Sequence, residues 1–206
     1  MNVEILAVGS ELLLGQIANT NAQYISQRLS QLGINVYYHT VVGDNRKRML
    51  EALKIASSRA DIIITTGGLG PTLDDITKET VAEYLGLPLV LHQPSVDAIR
   101  EYFRSRNRIC TQNNLKQAMF PEKAIVLKNS VGTAPGAIIE EDEKIYIILP
   151  GPPRELKPMF EKYVMPYLEG KSGEKIFSRV LRIYGMGESM VEEKVRDLLE
   201  KQQNPT

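Results

Sequence analysis

Between residues 2 and 85 the apolar pattern alternates between strand-like runs and helix-like stripes, and that alternation constrains the fold more than any other feature. Residues 2–9, through Val3-Glu4-Ile5-Leu6-Ala7-Val8, read as a first strand. After the loop Ser10–Gln16 and the capping cluster Asn19-Thr20-Asn21, Ala22, Ile25, Leu29 and Leu32 recur at three- and four-residue spacing, the stripe of an amphipathic helix. Gly33 closes that helix, and Ile34–Val42, rich in β-branched and aromatic residues, reads as a strand. Asn45 opens a second helix to about Arg59, with Met49, Leu53 and Ala56 inward; Ala60–Thr65 is a third strand. Ile76–Leu85 is a helix ended by Gly86 and Pro88. Strand, helix, strand, helix, strand in that order predicts right-handed crossovers and a parallel sheet.

The rest of the chain supplies two more helices (94–106 and 111–119) and a short strand, Ala124–Leu127. Ala137–Ile139 and Lys144–Leu149 pair around the acidic turn Glu140-Glu141-Asp142-Glu143, and a helix runs from Pro153 to Leu168. Its inward stripe is Leu156, Phe160, Tyr163 and Tyr167; Pro158 is expected in its first turn, and Pro166 is expected to end or bend it. Glu169–Glu174 has linker composition. A strand, Lys175–Tyr184, and a helix, 188–201, follow; one such pair buries too little surface to stand alone. Two domains are therefore expected, 1–170 and a partial α+β unit, 171–206.

A chain of 206 residues with 25 basic and 25 acidic side chains has room for one sizeable core, and its balanced charge gives no reason to expect nucleic acid or an anionic membrane as partner. The single cysteine, Cys110, excludes an internal disulfide, and neither His39 nor His92 is near it in sequence to activate a thiol. No apolar stretch reaches the length of a membrane span, and the N-terminus opens directly on a strand; a cytoplasmic protein is expected.

The chemistry concentrates in loops. Thr65-Thr66-Gly67-Gly68-Leu69-Gly70-Pro71-Thr72-Leu73-Asp74-Asp75 joins a buried strand to a helix. Glycines there let backbone N–H groups surround a phosphate. One aspartate can cap the helix; the other needs a separate reason. Two carboxylates beside a phosphate repel it unless a divalent cation intervenes, so Mg²⁺ or a similar ion is expected. Leu149-Pro150-Gly151-Pro152-Pro153-Arg154-Glu155 likewise follows a strand and opens a helix, placing Arg154 for a phosphate and Glu155 for metal or proton transfer. Gly132-Thr133-Ala134-Pro135-Gly136 precedes a strand, and Gly9-Ser10-Glu11 ends the first one.

Together these segments, with Asn19-Thr20-Asn21-Ala22 and the stretch from Asn114 to Lys116-Gln117-Ala118, resemble the CinA family of competence/damage-inducible proteins. The same region is similar to the molybdopterin-binding fold of molybdenum-cofactor biosynthesis proteins, where the corresponding loop also ends in an aspartate, here Asp75. The resemblance implies a three-layer α/β/α domain with a mostly parallel sheet, followed by a short α+β extension. It also implies metal-dependent ADP-ribose pyrophosphatase activity. On that reading Asp75, Asp74 and Glu155 are the catalytic carboxylates, and Asp75 and Glu11 hold the metal. Substrate contacts are expected from Ser10, Asn19, Gly67, Gly68, Gly70, Thr72, Gly132, Thr133, Gly136, Gly151, Pro152 and Arg154. Nucleotidyl transfer to molybdopterin and a non-catalytic nucleotide-binding module are the alternatives. A small-molecule nucleotide and a second copy of the chain, as homodimer, are the partners expected. Gly185-Met186-Gly187-Glu188-Ser189 resembles the start of the family's connecting domain. Family members often continue into a nicotinamide-nucleotide deamidase domain; this chain stops before it, and no deamidase activity is expected.

Overall fold

The computed structural model describes residues 1–171 and 182–201. The chain divides into two units, Met1–Ile176 and Phe177–Thr206. In the first, the strands are β1 (Asn2–Val8), β2 (Asn35–Val42), β3 (Ile62–Thr66), β4 (Leu89–Leu91), β5 (Met119–Pro121), β6 (Ile125–Leu127), β7 (Gly136–Glu141) and β8 (Lys144–Leu149). The helices are α1 (Ser10–Leu13), α2 (Thr20–Ser30), α3 (Arg46–Arg59), α4 (Thr77–Leu85), α5 (Gln93–Arg104), α6 (Gln112–Leu115), α7 (Pro153–Met159) and α8 (Met165–Glu169). In the second unit the described element is α9 (Glu188–Glu200). The strand expected over Lys175–Tyr184 falls mostly outside the described residues, and Arg182–Tyr184 have no regular structure.

Six strands form one sheet in the order β2-β1-β3-β8-β7-β6. β2, β1, β3 and β8 run parallel, and β7 and β6 close the sheet antiparallel. Alternation along each strand sends side chains to two cores. Val3 and Ile5 of β1 and Ile62 and Ile64 of β3 meet Ala22, Ile25 and Leu29 of α2 and Leu156 and Met159 of α7 on one face. Leu6, Val8 and Ile63 meet Met49, Leu53 and Ala56 of α3 and Val81 of α4 on the other. The result is the expected α/β/α sandwich, with every strand residue of β3 buried.

Some local expectations are corrected. Residues 10–13 form a short helix rather than loop, and the helix expected over 111–119 breaks into α6, a 3₁₀ turn (Lys116–Ala118) and β5. β5 pairs antiparallel with β4, and that pairing takes Met119–Pro121 out of the helix. Pro158 lies inside α7 rather than in its first turn. Pro166 does not end the helix: a π-turn over Phe160–Val164, with the Met165 amide reaching back to the Phe160 carbonyl, precedes α8. The wider turn loosens the backbone just where the Pro166 ring would crowd the preceding carbonyl. The acidic turn is a hairpin tip with Asp142 and Glu143 at positive φ.

Candidate active site

The chain leaves β1 for β2 on one side and later enters β3 on the other. Loops after β1 and β3 therefore diverge, and a crevice opens at the carboxyl ends of these strands. The β8–α7 loop reaches the same edge because β8 is parallel to β3; the loop before β7 does so because β7 is antiparallel to β8. A cleft of about 610 Å³ lies there, lined by all four loops. That volume suits a small-molecule ligand.

The glycine loop is fixed from behind. The Gly67 amide donates to the Leu149 carbonyl at 3.0 Å, while the Thr77 hydroxyl donates to the Gly67 carbonyl at 2.8 Å and the Thr77 amide to the Gly68 carbonyl at 3.2 Å. The Gln117 side-chain amide donates to the Leu69 carbonyl at 2.9 Å. Gly67 and Gly68 have φ of 98° and 64°, which L side chains rarely adopt. With the carbonyls engaged, no acceptor among the described residues takes the amides of Gly68, Leu69 and Gly70. These are donors of the kind that cradle an anion.

Five carboxylates line the cleft: Glu11, Asp44, Asp74, Asp75 and Glu155. Among the described residues, no Lys, Arg or His does. Three of the acids are oriented through a single oxygen. Asp75 Oδ2 accepts from the Thr72 amide at 3.0 Å and from its hydroxyl. Asp44 Oδ2 accepts from the Ser10 amide and hydroxyl, both at 2.9 Å. Glu155 Oε2 accepts from Asn129 Nδ2 at 2.7 Å. The second oxygen of Asp75 and of Asp44 takes no hydrogen bond among the described residues, so these are carboxylates that could ligate a cation. Asp74 also meets the Thr72 hydroxyl; that bond first, then a backbone amide and the Lys116 charge, holds its carboxyl below the usual range. No set of three or more His, Cys, Asp or Glu forms a ready-made metal cage among the described residues. A Mg²⁺ ion does not need one: it uses one or two carboxylates plus phosphate oxygens and waters.

Of the expected site residues, Glu11, Asn19, Gly67, Gly68, Gly70, Asp74, Asp75, Thr133, Gly151, Pro152 and Glu155 line the cleft. Ser10 and Thr72 do not; each hydrogen-bonds an acid that does. Asn19 caps α2, its side chain accepting from the Ala22 amide at 3.1 Å. Gly132 borders a neighbouring cavity that shares Thr133. Gly136 is a packing residue: it is buried in β7, where a Cβ would collide with the Ile148 carbonyl and Met159. Arg154 is outside the cleft, with its side chain 78% exposed at the start of α7. Neither aspartate caps α4; its N-cap is Ile76, without a side-chain bond.

Sequence reasoning missed Asp44 and Asn129, and it quoted Asn21 and Gln117 only within the family resemblance, with no place in the cleft. Asp44 had a signal, since it lies just past the end of a strand expected to be parallel. Asn21 was hidden among capping residues; its Nδ2 donates to the Gly151 carbonyl at 2.6 Å. Gln117 is 2% exposed, and its backbone carbonyl accepts from Lys78 Nζ. The side-chain oxygens of Asn21 and Gln117 are buried without a partner. Such an orphan acceptor costs about 1–3 kcal/mol unless something donates to it.

Lys78 is itself buried, with its ammonium 4.3 Å from the centre of the Phe120 ring. Burial lowers its pKa to about 7, against the opposing pull of Glu79 and Asp75 and with a smaller push from Lys116. In the unfolded chain a lysine titrates near ~10.4. Between these values the unfolded state binds more protons, so stability rises with pH; below pH 7 both states are protonated and the dependence vanishes. Urea unfolding across that window should show the native chain gaining up to about 1 kcal/mol per pH unit relative to Lys78→Met. Parallel pH profiles for the two proteins would refute a buried neutral lysine.

Sheet order, layering and the position of the cleft define a molybdopterin-binding-like domain. Residues 4–170 match the family described as "Probable molybdopterin binding domain". Thermus thermophilus MoaB shares the fold, with TM-score 0.53 and 20% identity over 84% of this chain and 99% of that one. The chain belongs to the CinA family. It superposes on the CinA crystal structure from Thermoplasma acidophilum with TM-score 0.75, at 33% identity over 82% of this chain and 99% of that one. CinA-like proteins of Kosmotoga olearia and Dictyoglomus thermophilum are 56% and 57% identical over all 206 residues. The chain spans about half the length of the curated relatives it matches: it covers 50% of each of these two. No helix among the described residues is long and apolar enough to cross a membrane.

Proposed function

We propose that this domain hydrolyses the pyrophosphate bond of ADP-ribose or a related nucleotide with the help of a divalent cation. One observation carries the reading: unengaged loop amides suited to an anion share a cleft with five carboxylates and, among the described residues, no basic side chain. A diphosphate enters such a cleft favourably only when a cation offsets the acids. Asp75 and Asp44, each with an oxygen to spare, would hold it, and Glu11 lines the same space. When bound, a divalent ion neutralises charge on the phosphates and acidifies a water.

The protein's own part is orientation and proton transfer. Amides of Gly68, Leu69 and Gly70 bind phosphate oxygens. Glu155, held by Asn129, accepts the proton of the attacking water. Water adds to one phosphorus, the bridging P–O bond breaks, and AMP and ribose 5-phosphate leave. Arg154, being exposed outside the cleft, has no part in this scheme.

The test is incubation with ADP-ribose with and without Mg²⁺, followed by chromatography. AMP formed only with metal is expected; no AMP under any metal condition removes the hydrolase reading. A second reading, pterin binding without hydrolysis, draws on the family description and on the likeness to MoaB. Saturable binding of a pterin, with ADP-ribose left intact, would favour it.

A further inference from the structure

The turn that carries Asp74 and Asp75 has little packing of its own. Thr72, Leu73 and Asp74 are exposed, and Leu73 is 94% so. The Thr72 amide and hydroxyl bond to Asp75, and the hydroxyl also meets Asp74; these contacts close the turn on itself without tying it to the rest of the molecule. Among the described residues, one side chain from outside hydrogen-bonds to Thr72–Asp75. Lys116 Nζ donates to the Thr72 carbonyl at 3.2 Å and to the Asp75 carbonyl.

Lys116 sits in the 3₁₀ turn between α6 and β5, and that segment is itself fixed. Asn114 Oδ1 accepts from the Thr111 amide at 2.9 Å, and the Ala118 carbonyl accepts from the His92 amide at 2.9 Å. The ammonium of Lys116 also pairs with Glu79 of α4 at 3.3 Å. Its neighbour Gln117 grips the same loop further back, at the Leu69 carbonyl. One short segment thus holds the glycine end of the loop through Gln117 and the acid end through Lys116.

We infer that Lys116 is a positioning residue of the cation site: by holding the main chain at Thr72 and Asp75 it keeps the Asp75 carboxylate set for a divalent ion. This rests on the divalent-cation reading above and adds a residue that lies outside the cleft. Charge and position have opposite signs here. A positive charge behind two acids repels a cation, so deleting it as a mere charge tightens metal binding. Deleting it as a support frees the turn and weakens metal binding, as loss of a group that orients a metal ligand does.

Mn²⁺ titrations of the intact chain, read by water-proton relaxation with and without α,β-methylene-ADP, test this; Mn²⁺ favours the same oxygen ligands as Mg²⁺. Lys116→Met should weaken Mn²⁺ binding at least about tenfold with little change in the thermal midpoint. Lys116→Arg, which keeps the charge and the N–H donors, should stay within about threefold of the native chain. If Lys116→Met does not fold, Lys116→Gln, uncharged and one bond shorter, replaces it under the same expectation. Native or tighter binding in the uncharged variant overturns the inference. Equal weakening by the uncharged variant and by Lys116→Arg also overturns it, because restored donors would then have done nothing. If the native chain binds no Mn²⁺ with or without the nucleotide, the divalent-cation reading itself falls.

Discussion

Asp75→Asn is expected to cut Mg²⁺-dependent cleavage of ADP-ribose by about a hundredfold or more while leaving the thermal midpoint nearly unchanged. The two outcomes separate because Asp75 has two jobs on two oxygens. Oδ2 holds the loop by accepting from the Thr72 amide at 3.0 Å and from the Thr72 hydroxyl. An asparagine carbonyl can do the same, so the turn survives. The other oxygen takes no hydrogen bond among the described residues, and Asp75 lines a cleft with, among the described residues, no Lys, Arg or His; on the proposed reading a cation there offsets the charge of a diphosphate. An amide there lacks the charge that draws a hard cation. Turnover should also need more Mg²⁺ for half-saturation, because Asp44 remains. Steady-state rates over a Mg²⁺ series, with a circular-dichroism melt of each protein, make the measurement. Rates equal to those of the native protein at every metal concentration would take Asp75 out of the proposed mechanism.

That Asp75 could be named from sequence, and Asp44 was not, reflects how the site is assembled. The glycine loop and its aspartates are contiguous, and the buried run Ile62-Ile63-Ile64 before them with the helical stripe after them marks a strand-to-helix turn. Asp44 reaches the cleft only because β2 lies beside β1, with the Gly9 amide bonded to the Val42 carbonyl at 2.9 Å. Nothing local states that β2 is at the edge and β3 on the far side of β1. Gln117 arrives by still longer contacts, to Leu69 and to Lys78 on α4. The same distinction holds for the fold. α2 and α3 are long enough to repeat their apolar stripe, and both were readable. α1 has four residues and shows no period. β4 and β5 have three each, and their pairing overrides the helical pattern that seemed to run through Met119. Arg154 was misplaced for a simpler reason: adjacency to Pro152 and Glu155 does not say which way a first-turn side chain points, and it points out.

Gly67→Ala is expected to produce the largest loss of stability of any single-methyl change at the site, roughly 3–5 kcal/mol. Two costs add. Its φ of 98° lies outside what alanine adopts readily, and the new Cβ would sit well inside contact distance of the Val8 carbonyl, a backbone atom of β1. Val8 is held in place by its pairing with Val42 of β2, and the residue before it, Ala7, is also paired to Thr66 of β3. Gly86 provides the control. It too has positive φ, 65°, as the left-handed cap of α4, but nothing lies within 4 Å of where its Cβ would be. Gly86→Ala should therefore cost only about 1 kcal/mol, the conformational part alone. At about 2–4 °C per kcal/mol for a chain of this size, the first variant should melt on the order of 10 °C below the native protein and the second within a few degrees. Equal melting points for the two variants would mean that the loop is not pressed against β1, and the amides of Gly68 to Gly70 would lose the rigid backing on which the proposed anion binding depends.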